Sequence, residues 1–156
     1  MTVNQELNLK KDTGKNFTAV HVGKFSTLDQ YELHMQSINR TVHGKVFLRE
    51  AIDSTSVQIS LNKLPAGRTV PFYHAHKLNE EVYIFTGGKG QMQVDDQIFD
   101  VEEGTVVRIK TEGVRTWRNN SDQDLYYVVI QAKENSLTAD TIEDGIKSEK
   151  SVVWAE

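Results

Sequence analysis

Two histidines and two glutamates lie close together in the segment that follows Pro71. His74 and His76 are two residues apart, so on a strand their imidazoles point to the same face and can reach one ion. A glutamate on the next strand would complete a set of two imidazoles and one carboxylate, which leaves coordination positions open for a substrate. Such a set suits iron, manganese, nickel or zinc, and the pattern predicts a divalent-metal site here.

The third ligand is either Glu80 or Glu81, because only one of two consecutive strand residues can face the histidines. We expect Glu81, since it shares a face with Tyr83 and Phe85. A His-X-His pair is weak evidence by itself, because strand histidines are often half-buried polar residues that bind nothing. The carboxylate behind the pair and the glycine-rich turn at 87–90 strengthen the metal interpretation.

The elements that must position these residues have the pattern of short strands. Ten glycines and two prolines separate segments rich in Val, Ile, Phe and Tyr. Their spacing of about 8–12 residues is typical of a sandwich or barrel, so the fold class is all-β and antiparallel. The candidate strands are 17–22, 45–52, 57–61, 71–76, 81–86, 90–94, 98–101, 105–109, 114–118 and 125–131. Helical signals are confined to 26–33 and 136–145. Hairpin turns are expected at 87–90 and at 95–96. The polar residues 1–16 are expected to be loose.

Composition excludes several classes of function. The chain has 156 residues, so one domain is expected. Its net charge is −4, so we expect no basic surface that would bind nucleic acid. It has no cysteine, which excludes disulfides, thiolate nucleophiles and thiolate metal sites. The start lacks a signal-peptide layout and no apolar run reaches membrane-spanning length, so we expect a cytoplasmic protein that does not bind membranes. No motif for an organic cofactor is present.

The segment from Gly67 to Gly88 resembles the first motif of the cupin superfamily. That motif has a glycine, a gap, His-X-His, a glutamate and a second glycine, and it is matched by Gly67, His74, His76, Glu81 and Gly88. Residues 104–119 resemble the second cupin motif, with Gly104 at the start and an aromatic-X-Asn ending at 117–119. The resemblance implies a single-domain jelly-roll barrel, also called a double-stranded β-helix. It does not imply one activity, because cupins include dioxygenases, isomerases and plain binding modules.

One residue departs from the family pattern at a position that matters. Arg115 stands where cupins have their last metal-ligating histidine. Its guanidinium stays protonated and cannot ligate a metal. Either the metal stays on His74, His76 and Glu81 while Arg115 orients an anionic substrate, or Arg115 pairs with Glu81 and its charge replaces the cation. The sequence leaves both outcomes open.

Strand parity adds three aromatic residues to the candidate substrate site. Phe72 shares a face with the histidines, Tyr83 with Glu81, and Trp117 with Arg115. An aromatic-walled cavity with a few polar groups is typical of a small-ligand site in a barrel mouth. The alternative is that the three rings only fill the barrel core. No catalytic residue is assigned.

Three regions are predicted along the chain. Residues 1–44 form an N-terminal arm that packs on the barrel, residues 45–131 form the barrel, and residues 132–156 form a C-terminal tail in which Trp154 is expected to be a packing anchor. Strands that are apolar on both faces favour a homodimer. The leading hypothesis is a small-molecule-binding protein with a dioxygenase- or isomerase-type metal site. The alternative is a metal-free binding or regulatory module with an Arg115–Glu81 pair.

Overall fold

The computed structural model describes residues 5–36, 39–139 and 143–155, and strands dominate it. A 3-10 helix spans Phe25–Gln30. In chain order the strands are β1 (Lys10–Gly14), β2 (Phe17–His21), β3 (Glu32–Met35), β4 (Arg40–His43), β5 (Lys45–Phe47), β6 (Val57–Leu64), β7 (Asn79–Gly87), β8 (Lys89–Val94), β9 (Gln97–Glu102), β10 (Val106–Ile109), β11 (Arg115–Arg118) and β12 (Leu125–Lys133).

Two antiparallel sheets form the barrel. The five-stranded sheet has the order β10-β7-β12-β6-β5, and the three-stranded sheet has the order β11-β8-β9. Isolated bridges between Thr69 and Arg118 and between His74 and Arg115 place the 69–74 segment beside β11. Consecutive strand residues alternate between buried and less buried positions, as expected when one face of each sheet lines the interior. The predicted all-β jelly-roll class is confirmed.

Register sets the order of side chains inside the barrel. In the five-stranded sheet one inward row runs through Ser60, Val129 and Tyr83, and the next runs through Gln131 and Glu81. The apolar core lies between the two sheets, so it draws residues from both. Its buried members are Tyr83, Phe85, Met92, Val101, Ile109, Trp117, Leu125, Tyr127 and Val129. The polar site therefore lies directly beside this core.

The N-terminal region covers the outer side of β5 and β6. It consists of the β1–β2 hairpin, the 3-10 helix and the β3–β4 hairpin. Val46 of β5 is fully buried on this outer side, so its neighbours Lys45 and Phe47 face the barrel interior. A second apolar cluster holds the two regions together, with buried Val22, Leu28, Val46 and Leu48.

Two predicted strands differ from the structure. The strand predicted at 45–52 ends at Phe47, because the chain then turns through hydrogen bonds from Ile52 N to Leu48 O (3.0 Å) and from Ser54 N to Arg49 O (2.9 Å). The strand predicted at 71–76 is wrong as a continuous element. Only His74 of this range forms a bridge to β11, that bridge is out of register by two residues with the one at Thr69, and Pro71 has no N–H to donate.

The turn at 87–90 is not a hairpin. Gly88 connects β7 of the large sheet to β8 of the small sheet, so the chain changes sheets there. Gly88 has a φ of +83°, and a Cβ at this position would lie 2.2 Å from the carbonyl oxygen of Asp124. Only glycine fits such a position without displacing backbone. The hairpin predicted at 95–96 is confirmed between β8 and β9.

Three expectations for the segments outside the barrel differ from the structure. Residues 10–14, expected to be loose, form β1 and pair with β2. The helical signal at 26–33 gives a 3-10 helix that stops at Gln30, because β3 begins at Glu32. The turn predicted at 136–145 includes residues 140–142, which lie outside the described residues. Trp154, expected to be a packing anchor, is 85% exposed, so it does not pack on its own barrel. None of the helices in the described ranges has the length and hydropathy to span a bilayer.

Candidate functional site

The two histidines are held against β11 by backbone hydrogen bonds. His74 N donates to Arg115 O at 3.2 Å, and Arg115 N donates back to His74 O at 3.0 Å. His76 N donates to Thr111 O at 3.2 Å. The segment therefore extends the small sheet locally, and it presents both imidazoles toward the large sheet.

The carboxylate that faces the histidines is that of Glu81. It lies on β7 between Ile109 of β10 and Gln131 of β12, and it is 4% exposed. Glu80 points to the opposite face, where it accepts a hydrogen bond from Arg108 Nε at 2.6 Å. Donor atoms of His74, His76 and Glu81 all lie within 4.8 Å of one another. The structure therefore has a His-His-Glu group of the kind that can hold a metal ion.

Arg115 lies inside the same group and is 1% exposed. Its Nη2 donates to Glu81 Oε2, which makes a buried ion pair. Its Nη1 donates to the backbone oxygens of His74 (3.3 Å) and Gly113 (3.1 Å). Its Nε has no hydrogen-bond partner among the described residues. The guanidinium is thus turned toward Glu81 and the backbone.

Both oxygens of Glu81 are surrounded by donors. Oε2 accepts from Tyr83 Oη at 2.7 Å as well as from Arg115. Oε1 accepts from Gln131 Nε2 at 2.7 Å and lies 3.1 Å from His76 Nε2. Burial alone would raise the pKa of Glu81, but these hydrogen bonds together lower it far below its usual range. Glu81 is therefore ionised at any ordinary pH.

His74 is a neutral imidazole at neutral pH. Burial, with a further effect from the Arg115 charge, lowers the pKa of His74 to about 4. Its ring lies among aromatic neighbours, with centroid distances of 5.7 Å to Phe72 and 5.9 Å to Trp117. Its Nδ1 is buried and has no partner among the described residues.

The three predicted aromatic residues differ in exposure. Phe72 is 36% exposed and borders the site, whereas Tyr83 and Trp117 are 1% and 7% exposed and belong to the core. Trp117 Nε1 donates to Tyr127 Oη at 2.9 Å. Burial, followed by the Glu81 charge, raises the pKa of Tyr83 far above its usual range. Tyr83 is therefore a permanent hydrogen-bond donor to Glu81 at physiological pH.

A divalent cation fits this donor set poorly while Arg115 holds its position. The carboxylate that should bind the cation already accepts hydrogen bonds at both oxygens. A guanidinium about 5 Å from a divalent ion would repel it by roughly 7 kcal/mol at an effective dielectric near 20. The Arg115–Glu81 contact thus places a fixed positive charge in the group that would otherwise receive the metal.

Sequence reasoning missed the polar residues of the barrel interior, and Gln131 and Lys45 are the two that matter most for the site. Gln131 contacts Glu81 and lies 3.1 Å from His76 Nε2, and Lys45 reaches into the barrel from β5. Gln131 interrupts an otherwise apolar strand at an inward position, which is the signal that could have identified it. Lys45 shares a face with Phe47, but only the register of β5 reveals that this face is the inner one.

Comparison with known proteins gives a consistent family assignment. A family model described as a cupin domain matches residues 60–131. A crystal structure of a cupin protein from Bacteroides fragilis is 36% identical, with a TM-score of 0.65, and the match covers 67% of this chain and 88% of that one. No curated protein matches the sequence.

More distant structures share the fold. A protein from Thermotoga maritima, described as a predicted oxalate decarboxylase, is 17% identical with a TM-score of 0.54, and the match covers 85% of this chain and 99% of that one. The plu4264 protein from Photorhabdus luminescens is 16% identical with the same TM-score, over 69% of this chain and 84% of that one. At these identities the likeness extends to the fold alone.

Proposed function

This chain belongs to the cupin superfamily, and from that premise we propose that it binds a small organic molecule in its barrel without needing a metal ion. The observation that carries the proposal is the buried Arg115–Glu81 ion pair. It supplies the positive charge that a cation would bring to the carboxylate. The histidines then act as polar ligand-binding groups instead of metal ligands.

Several features of the site support binding of a small polar ligand. The His76 side chain is 28% exposed and Phe72 is 36% exposed, so the group opens to solvent at this side. Neutral His74 has an unpartnered Nδ1, a buried polar atom whose desolvation a ligand hydrogen bond would offset. Gln131 and Glu81 provide further polar groups of the site, and a hydrogen bond between them holds both in place. Phe72 and Trp117 are the apolar neighbours of this polar group, with ring centroids 5.7 Å and 5.9 Å from that of His74.

A thermal-shift screen in the presence and absence of a chelator tests this function. We expect members of a small-molecule library to raise the melting temperature equally in both conditions, because a ligand that binds only the native state stabilises it. A His76→Ala variant should lose the shift. A His34→Ala variant should keep it, because His34 is exposed and lies on β3, outside the two barrel sheets. Ligand shifts that vanish with the chelator would overturn metal independence.

The second candidate is a metal-dependent enzyme of dioxygenase or isomerase type. It is favoured by the clustering of His74, His76 and Glu81 donors within 4.8 Å. In this case Arg115 must release Glu81 and turn toward an anionic substrate. Chelation would then lower the melting temperature of the wild-type protein, which the metal-free proposal does not expect.

We propose further that the protein is a homodimer paired through the outer face of the large sheet. One outer row runs through Val106, Ile84 and Val128, and the next runs from the exposed Arg108 through Val82 to Ile130. Val106 is 62% exposed, and the apolar residues Ile84, Val128, Val82 and Ile130 are half-buried. A two-fold axis would pair this apolar face with its own copy.

A further inference from the structure

Lys45 places a second positive charge inside the barrel, in addition to that of Arg115. It lies on β5 opposite Asn62 of β6. Its side chain points inward because that of the next residue, Val46, points outward into the second apolar cluster. Its backbone is fixed as well, since Gln5 Nε2 donates to Lys45 O at 2.8 Å. The ammonium is therefore a positioned group of the interior.

The neighbours of Lys45 hold its ammonium but do not neutralise it. Lys45 Nζ donates to Asn62 Oδ1 at 2.9 Å and to Ser60 Oγ at 3.4 Å, and it lies 4.8 Å from the centroid of Phe47. Asn62 is itself locked, because its Nδ2 donates to Ser60 O (3.0 Å) and Tyr127 O (3.3 Å). These contacts satisfy two of the three N–H groups of the ammonium.

The charges of the interior leave one positive charge unbalanced. Arg115 and Glu81 form a buried ion pair and cancel each other. The ion pairs found among the described residues do not include Lys45, and Glu81 is the acidic group that its charge senses. A half-buried ammonium without a counter-ion is unfavourable, and an anion brought by a ligand would relieve this.

We propose that Lys45 binds the acid group of a small organic carboxylate inside the barrel. The inference rests on the proposed small-molecule function and adds the ligand class. A carboxylate carries the single negative charge that balances Lys45, whereas a phosphate monoester carries about 1.5 to 2 negative charges at pH 7. Phe47, whose ring centroid lies 4.8 Å from the ammonium, provides apolar surface for the organic part. Arg115, which the sequence suggests as the anion-binding residue, is already neutralised by Glu81.

The pKa of Lys45 agrees with this geometry. Burial lowers the pKa of Lys45 to about 8, and the Glu81 charge offsets only part of that effect. The ammonium is still mostly protonated at pH 7, but it is poorly solvated. A carboxylate is therefore expected to raise the pKa of Lys45 when it binds.

Paired acids and amides test the proposal on the intact chain. Propionate and benzoate, with propionamide and benzamide as neutral counterparts, are titrated by ligand-observed NMR against wild-type, Lys45→Met, Lys45→Arg and Lys89→Met proteins. We expect the acids to bind at least tenfold more tightly than the amides. Lys45→Met should remove that preference, Lys45→Arg should keep most of it, and Lys89→Met, altered at an exposed lysine, should match wild type.

A second readout needs no variant. With [13Cε]lysine in the wild-type protein, the Lys45 resonance should report a higher pKa when benzoate is present and no change with benzamide. Equal binding of acids and amides, or a Lys45 pKa unaffected by bound acid, would overturn the role of Lys45 while the small-molecule function stands. If neither acids nor amides bind, and the wider screen also fails, both proposals are wrong.

Discussion

Arg115 donates to Glu81 inside the barrel although the two residues lie on strands of different sheets. Both are almost completely buried, at 1% and 4% exposure. Breaking such a pair from one side leaves an uncompensated buried charge, which typically costs 3–5 kcal/mol. The pair is therefore a structural element of the site as well as its dominant electrostatic feature.

Removing only the arginine should strongly destabilise the fold. We expect Arg115→Met to lower the free energy of unfolding by about 3–5 kcal/mol, because the Glu81 carboxylate loses its counter-charge. The Arg115→Met/Glu81→Gln double variant should recover part of this loss, since no charge remains buried. Urea unfolding measures both. As a control, Arg108→Met alters a half-exposed arginine paired with Glu80, and it should cost less than about 1 kcal/mol. Equal losses for the two single variants would contradict the assigned importance of the pair.

Replacing the arginine by histidine should create a metal site. In Arg115→His the fixed charge disappears and a fourth donor joins His74, His76 and Glu81, which suits zinc or manganese. We expect the variant to be less stable than wild type without metal and to gain several degrees in melting temperature with zinc. Arg108→His serves as the matched control and should not respond beyond the wild-type level. A variant that folds but ignores zinc, manganese, iron and nickel would show that more than Arg115 prevents metal binding.

Because of Lys45, the free energy of unfolding should increase as the pH rises above neutral. The native amine has a pKa of about 8, against 10.5 for the ordinary lysine, so between these values the unfolded chain holds more protons and stability rises with pH. His74 and Glu81 are the titratable groups that sense its charge, and both keep their charge state in this range.

The comparison of wild type with Lys45→Met isolates this effect. From pH 7 to pH 10, wild type should gain about 1–3 kcal/mol of unfolding free energy relative to the variant, with the lower end favoured by partial exposure of the residue. Urea midpoints at the two pH values provide the measurement, and Lys89→Met should show no such difference. A pH-independent gap between wild type and Lys45→Met would mean that the amine is ordinarily solvated.

The outer face of the large sheet should mediate self-association. A lysine at Val106 would place a charge in the apolar row with Ile84 and Val128, so Val106→Lys should raise the dimer dissociation constant at least tenfold. Sedimentation velocity over a range of concentrations measures this. Ile98→Lys is a close control, because Ile98 is also 62% exposed but lies on the small sheet. A monomeric wild-type protein, or equal effects of the two variants, would contradict this interface.

Much of the fold can be predicted from local sequence, because the alternation of apolar and polar residues indicates strands and certain residue types indicate turns. Parity alone indicated that His74 and His76 share a face and that Glu81 faces inward in preference to Glu80. Alternation in the sequence predicts a continuous strand at 71–76, but the two-residue shift between the Thr69 and His74 bridges to β11 is not visible in the sequence. The β1 strand was missed because all five of its residues are exposed and carry no apolar signal.

The chemistry of the site depends on contacts that the sequence does not reveal. Arg115 and Glu81 are 34 positions apart, and their contact follows from the bridge that places His74 beside Arg115. Gln131 and Lys45 enter the interior through the register of β5, β6, β12 and β7. Sequence reasoning therefore identified the residue types of the site but left the choice between ion pair and metal open.

The metal content of the wild-type protein tests metal independence most directly. Untagged protein is dialysed against manganese, iron, nickel or zinc in turn, then against metal-free buffer, and analysed by mass spectrometry beside a His74→Ala/His76→Ala variant. The Arg115–Glu81 pair predicts no more metal in wild type than in the variant. About one ion per chain that disappears in the variant would contradict it and establish the metal site.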